Sequence, residues 1–283
     1  IFLAGYLADQ VMISIRPLTL IIPSAILVSM ATALLLAQQD LGTALLLILI
    51  YFAIVYFGTA RRRILVIAGI ITVIAGIIGY NAFDVIRLRI MAWINPWLDA
   101  GGNSYQILQS IMGIANGGVF GSGLGIGSPG FIPVAISDFI FSAISEESGL
   151  FGVIALISLY LILIMRAMVI ASQSHNPYIR FLSAGIAIYL AAQTLLIMGG
   201  NNRLLPITGV TLPFVSYGGS SFAVSFFSVF LLLLCSTDRY QVPYQDFDKK
   251  PVWFISISIM LGFAAVALIN GWWSIFQSET YMA

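Results

Sequence analysis

The chain has 283 residues, of which 60% are apolar and only 8% charged, with a formal net charge of +1. A soluble domain runs about 45–50% apolar and about 25% charged, so this composition belongs in a bilayer, and a charge so near zero gives no reason to expect nucleic acid. A single cysteine, Cys235, and a single histidine, His175, exclude an internal disulfide, a cysteine metal cluster and a histidine-dependent triad.

A spanning helix takes about 20 mostly apolar residues, with about 17 as the lower limit. Ile1–Ala8 reads as the tail of a span that begins earlier, without the basic lead-in of a signal peptide, and the whole chain as a piece of a longer protein. Complete spans are then expected at Leu18–Ala37, Leu41–Gly58, Ile64–Tyr80, Gly149–Met165, Phe181–Met198, Tyr217–Cys235 and Trp253–Ile275. Pro17 and Pro177 mark helix starts, where a missing N–H costs little. Asp40 is placed to cap the helix that begins at Leu41. The fold class expected is all-α: a polytopic transmembrane helix bundle with a long structured extracytoplasmic loop.

Basic residues favour the cytoplasmic side. With alternating loops, Arg16, Arg61, Arg62, Arg63, Arg166, Arg180, Arg239, Lys249 and Lys250 fall on one side, and only Arg87, Arg89 and Arg203 on the other. Segment 81–148 is therefore expected outside. Loops beyond about 12–15 residues are usually functional or disordered, and this one has the makings of structure. "IRLRIMAWINPWL" sets apolar residues between arginines, and "SYQILQSIMGIA" suits an amphipathic helix at the interface. "GGVFGSGLGIGSPG" is half glycine, but no strand precedes it, so a dinucleotide loop is rejected. Gly117, Gly121 and Gly125 suit close helix contact instead.

The stretch "ISDFIFSAISEESG" (Ile136–Gly149) concentrates Asp138, Glu146 and Glu147 in a chain with only eleven acids. On one helix Glu146 would lie about 12 Å along the axis from Asp138, with Glu147 on the opposite face. That is too far for two carboxylates acting on one bond, so a single base is expected. Asp138 stands before an apolar helix with Phe139 and Phe141 beside it, and partial desolvation suits it to take up a proton. Spacing alone leaves a simple helix cap equally open. Glu146 and Glu147 are expected as supports that complement the helix dipole, hold an arginine of the outer loop, or bind a divalent cation (Mg or Mn).

Several motifs coincide in order: "QQDLGT" (Gln38–Thr43), "RLRIMAWINP" (Arg87–Pro96), "YQILQS" (Tyr105–Ser110), "GGVFGSGLG" (Gly117–Gly125), "DFIFSAISEESGLFG" (Asp138–Gly152) and "LLPITGVTLPFVSYGGSS" (Leu204–Ser221). Together, across Ile1–Asp238, they resemble the SEDS family, the RodA/FtsW-type peptidoglycan glycosyltransferases. The resemblance implies a ten-helix enzyme of the bacterial cytoplasmic membrane that polymerises lipid II on the outer face, here without its first helices. Gln39 departs from the proline usual before Asp40, which bears on the local turn. "INGWWSIFQSETYMA" (Ile269–Ala283) is similar to the end of the membrane anchor of class B penicillin-binding proteins. The expected division is thus 1–238 glycosyltransferase membrane domain, 239–251 cytoplasmic linker and 252–283 anchor-like helix, with a transpeptidase fused beyond Ala283.

The resemblance implies that Asp138 is the essential residue, here the general base. Arginine forks onto phosphate oxygens, so Arg87 and Arg89 are the candidates for the lipid pyrophosphate, where the divalent cation would also sit; two residues apart they do not share a helix face, and at most one is expected to reach it directly. Gln106 and Gln109, three apart, share a helix face and can bond sugar or peptide. Ser216, Tyr217, Gly218, Gly219 and Ser220 open a helix whose positive end suits an anion. Asp40, Glu146 and Glu147 support. The expected partners are lipid II, the growing glycan chain, a transpeptidase and the membrane. Two other classes remain open: a flippase or transporter for a lipid-linked precursor, and a non-catalytic division or elongation scaffold.

Overall fold

The structure, a computed structural model, describes residues 1–13, 17–102, 104–127, 130, 132, 134–237 and 249–276, without side chains at 10–13 and 17–20. It is all-α, with no strand among the described residues. In chain order the helices are α1 (Phe2–Ile13), α2 (Pro17–Ala37), α3 (Leu41–Thr59), α4 (Arg62–Ala82), α5 (Asp84–Ile94), a 3₁₀ turn at Pro96–Asp99, α6 (Tyr105–Gly117), α7 (Ile140–Gln173), α8 (Pro177–Asn201), α9 (Gly219–Ser236) and α10 (Lys250–Phe276). Among the described residues six helices, α3, α4 and α7 to α10, are long and apolar enough to cross a membrane, and Ile21–Ala37 of α2 is apolar but shorter. The protein is a multi-pass membrane protein. Most of the expected linker 239–251 and the end of the anchor-like sequence lie outside the described residues.

Two helix starts fall at the prolines, and Asp40 caps α3 as its position suggested. Its carboxylate accepts from the Thr43 N–H at 3.1 Å and the Thr43 hydroxyl at 2.7 Å. Gln39, just before it, sits at φ 60. Proline is locked near φ −65°, so the turn drawn here is one that proline could not make. α7 departs most from expectation. It is two helices joined at a break at Gly149 (φ 64, ψ −167): the second begins where the span was expected, and a first one, unforeseen, precedes it from Ile140.

The chain forms two compact units. The first comprises Ile1–Ile71, Ile162–Ala192 and Ala223–Met260. With lipid outside and apolar side chains inside, helix association rests on close packing more than on escape from water. Small residues admit large rings: a β-carbon on Gly58 would stand 2.9 Å from the Phe181 ring, and Phe181 meets Phe57 edge-on at 5.7 Å. Tyr51 adds a polar tie, bonding the Ser24 hydroxyl at 3.1 Å and donating to the Ile21 carbonyl at 3.2 Å.

The second unit comprises Thr72–Leu161, Gln193–Phe222 and Leu261–Ala283. α6 is amphipathic as expected, but protein covers its apolar side: Ile107, Ile111 and Ile114 are buried. Helix α10 enters this unit through Asn270, which is fully buried and donates to the Ser145 hydroxyl and the Asn202 amide oxygen, each at 3.2 Å. A buried amide is costly unless its bonds are made; here the Oδ1 finds no partner among the described residues, while the Nδ2 is satisfied. Asn270 thereby fixes the register of α10 against α7 and the end of α8.

Candidate functional site

The glycine run after α6 serves the break in α7. Ser122 and Gly123 donate their N–H groups to the carbonyls of Glu146 and Glu147 at 2.9 and 3.0 Å, and Leu150 N–H returns to the Gly118 carbonyl at 3.0 Å. The backbones lie so close that a β-carbon on Gly117, Gly121 or Gly149 would collide with Ser145 O, Glu147 O or Gly121 N respectively. Gly117 and Gly121 thus make the close helix contact foreseen for them, while Gly125 faces open space. The break at Gly149 exposes carbonyls and N–H groups that an unbroken helix would pair, and the loop supplies their partners.

Asp138 lies in the turn two residues ahead of α7, not on that helix. Phe139 and Phe141 do not flank its carboxylate; both are buried in the core, whereas Asp138 is half-exposed. What holds it is the backbone. Three consecutive carbonyls each accept a hydrogen bond from the later part of the chain. Tyr217 N–H donates to Ile136 O at 2.9 Å, the Ser216 hydroxyl to Ser137 O at 2.6 Å, and the Asn201 amide to Asp138 O at 2.9 Å. Asp138 N–H closes the turn on Val134 O at 3.1 Å. Val134 itself sits at φ 56, a conformation costly for a β-branched residue.

Asn201 is the centre of this clamp. Besides Asp138 it donates to Ile197 O at 3.0 Å and accepts from the Ser142 hydroxyl at 3.1 Å and the Ser142 N–H at 3.3 Å. Ser110 of α6 bonds the Ser142 hydroxyl at 2.5 Å and the Asn201 carbonyl at 2.9 Å. Three helices therefore meet at one buried polar knot, and the turn carrying Asp138 is attached to it.

No described residue bonds or pairs with the Asp138 carboxylate. It faces Arg89 across Gly209. A β-carbon on Gly209 would lie 3.9 Å from Asp138 Oδ2 and 4.0 Å from Arg89 Nη2. Arg89 is oriented by its Nη1, which donates to Thr208 O at 3.3 Å and Ile207 O at 3.5 Å. Arg87 points elsewhere, with Asp84 at 3.6 Å and the Tyr80 ring at 5.7 Å. A free carboxylate beside an anchored guanidinium can take a proton on one side and meet a developing anion on the other.

The other candidates fall as follows. Gln106 is exposed and Gln109 half-buried. Ser216 is buried, its hydroxyl engaged with Ser137 O and accepting from Leu212 N–H at 2.8 Å. Tyr217 is 80% exposed, and Gly218, Gly219 and Ser220 lead into α9 as expected. Glu146 is buried and accepts from Asn116 at 3.1 Å; Glu147 is half-buried against Gly127. Neither lies in the first turn of α7, so neither complements its dipole there. Among the described residues no three His, Cys, Asp or Glu side chains converge on a point. The donor set therefore does not fit a cation held by protein alone.

Residues read only by their charge or not at all also shape the site. Arg203 donates to Trp93 O at 2.9 Å and Ile94 O at 2.6 Å, capping the carbonyl end of α5, while Trp93 donates to Arg203 O at 3.0 Å. Asn201, Asn202 and Asn270 are amides in otherwise apolar helix ends, and that incongruity is the signal by which sequence could have found them.

Comparison with known proteins now adds a frame. A family model covering FtsW, RodA and SpoVE and described as "Cell cycle protein" matches residues 1–241. Peptidoglycan glycosyltransferase RodA of Mycobacterium bovis is 37% identical over 216 residues, which is 76% of this chain and 46% of that protein. The probable peptidoglycan glycosyltransferase FtsW of Geobacter metallireducens is 41% identical over 229 residues, 78% of this chain and 60% of that one. A solved structure, "Structural coordination of polymerization and crosslinking by a peptidoglycan synthase complex", contains a chain similar to this one with a TM-score of 0.63 and 31% identity, covering 77% of this chain and 62% of that chain. The chain spans about half the length of the curated relatives it matches.

Proposed function

The chain belongs to the FtsW/RodA/SpoVE family, and from that premise we propose that it is part of a peptidoglycan glycosyltransferase that joins lipid II units into glycan strands on the outer face of the cytoplasmic membrane. The observation that carries the reading is the treatment of Asp138: its turn is clamped at three successive carbonyls, while its carboxylate, near Arg89, has no partner among the described residues. A structural acid would be bonded. A base must be held still and left free.

In the proposed reaction a hydroxyl of the acceptor sugar attacks the anomeric carbon of the donor from the face opposite the lipid pyrophosphate. The new C–O bond forms as the bond to the pyrophosphate breaks, with inversion. Asp138 takes the hydroxyl proton, and the pyrophosphate leaves with the bonding electron pair. Arg89, across Gly209 from the Asp138 carboxylate, is the cation assigned to meet that charge. Arg87, Gln106, Gln109, Tyr217, Gly218, Gly219 and Ser220 are assigned to the remaining surface of the substrate, and no step is routed through a metal.

The test is lipid II polymerisation by the intact purified protein and its Asp138→Ala variant. A loss of about 10²–10⁴-fold is expected with unchanged thermal stability; polymer made at the parental rate would remove Asp138 from the chemistry. The partner follows from the same frame. α10 lies beyond the family match, and its end resembles a penicillin-binding protein anchor, so we propose a transpeptidase continuing in cis after Ala283. Sequence beyond that residue lacking such a domain would end this part.

A further inference from the structure

A cavity of about 350 Å³ opens in the second unit, lined among others by Trp93, Asn202, Arg203, Ile269, Trp272 and Trp273. That volume lies at the lower end of the range of small-ligand sites. Trp93 stands four residues after Arg89 on α5, on the same side of the helix and one turn, about 6 Å, along it. Arg89 adjoins Asp138, and Asn202 follows directly on Asn201, which holds the Asp138 carbonyl. Trp93 and Asn202 thus tie the cavity wall to the two segments that carry Arg89 and hold the Asp138 carbonyl.

Its chemistry is specific. Two of the indoles have their N–H groups engaged, Trp93 to Arg203 O at 3.0 Å and Trp273 to Asn202 O at 3.2 Å. Their rings are fixed in place, and what they offer a ligand is carbon. Arg203 is tied to two carbonyls and stacked on Trp97 at 5.2 Å, so its charge is already partly engaged. Asn202 is 1% exposed, and neither its Nδ2 nor the Oδ1 of the neighbouring Asn270 finds a partner among the described residues. Unpaired amide groups in the cavity wall cost free energy, which a polar ligand reached by a small shift of the Asn202 side chain would offset. Among the described residues no carboxylate lines the cavity. The complementary ligand is neutral, rich in acceptors and apolar on one face. An N-acetylhexosamine ring has that form: its axial C–H bonds suit the negative face of an indole, and its acetamido carbonyl and hydroxyls accept hydrogen bonds.

We propose that this cavity is a glycan subsite that binds an N-acetylhexosamine unit of the strand next to the reacting sugar. The inference rests on the reaction proposed above and adds to it where the polymer is held. Ile269, Trp272 and Trp273 come from α10, beyond the 1–241 family match, so the subsite is a property of this chain and not of the motifs shared across the family.

The experiment uses the intact protein in lipid nanodiscs, with chitotetraose as the probe and no lipid II present. Saturable binding is expected by calorimetry and tryptophan fluorescence. Trp272 is half-exposed and can be changed without opening the core, and Trp272→Ala should weaken binding about tenfold or more, with Trp272→Phe recovering part of it. Asp138→Ala should bind as the parent does. A protein that polymerises lipid II but binds no chitotetraose, or binds it equally after Trp272→Ala, overturns the subsite and leaves the reaction standing. Trp272-dependent binding in a protein that does not polymerise overturns the reaction and leaves a sugar site. Fluorescence that follows phosphatidylglycerol content and ignores the oligosaccharide overturns the sugar assignment in favour of a lipid headgroup.

Discussion

The clamp on Asp138 makes a sharp prediction at Asn201. Asn201→Ala removes the donor to Asp138 O and the acceptor for Ser142. The losses are unequal. Ser142 N–H keeps Phe139 O at 3.0 Å and its hydroxyl keeps Ser110, whereas no described side chain replaces the amide at Asp138 O. One orphaned carbonyl and a small void amount to about 2 kcal/mol. Against a total of about 5–15 kcal/mol, the population stays folded. The rate should suffer more, because a catalytic group displaced by about 1 Å can cost about 10²-fold.

Ser142→Ala is the comparison. It removes a hydroxyl from the same knot but leaves the Asn201 bond to Asp138 in place, so it should cost about 1 kcal/mol of stability and little rate. The two variants are compared by thermal unfolding in nanodiscs and by initial rates of lipid II polymerisation. Asn201→Ala is expected to lose about 10- to 100-fold in rate at nearly full folding. Equal rates in the two variants, at the stabilities expected, would show that the carbonyl clamp does not set the position of the proposed base.

Two further substitutions probe the surroundings. Gly209 sits at φ 74, so Gly209→Ala should cost about 1–2 kcal/mol in strain, read by thermal unfolding, and should slow polymerisation further by placing a methyl between Asp138 and Arg89. Gly149→Ala should abolish accumulation of folded protein, because its β-carbon collides with the Gly121 backbone; Gly125→Ala, with open space around it at φ 75, should lose only about 1–2 kcal/mol, and size-exclusion profiles of the two separate collision from strain.

Hydropathy located the spans because a run of apolar residues of bilayer length has few other uses, and the ends then followed from Pro17, Asp40 and Pro177. The start of α7 was less legible. Gly149 looked like the end of a loop, but "IFSAISEES" is itself helical and buried, and a short apolar run has no period that separates a buried helix from a loop before a span. Asp138 was singled out by motif, and the bonds that hold its turn were not. Residues 204–218 have no regular structure, so no periodicity reveals that Ser216 faces Ser137 O or that Gly209 separates Asp138 from Arg89. The same holds for Asn201, whose role is set by contacts dozens of residues away in sequence.

The choice of neutral groups around Asp138 has a physical reason. A cation bonded directly to a carboxylate stabilises its ionised form and so opposes proton uptake. An amide or hydroxyl bonded to the backbone fixes position without that electrostatic cost. Here the Asn201 amide, the Ser216 hydroxyl and the Tyr217 N–H all act on main-chain carbonyls, and Arg89, across Gly209, commits its Nη1 to Ile207 O and Thr208 O. A chain so poor in charge can then carry a lone acid that is both immobile and available. The same economy explains Asn270: α10 is fixed by an uncharged amide to Ser145 and Asn202, which adds no net charge to a chain that carries few.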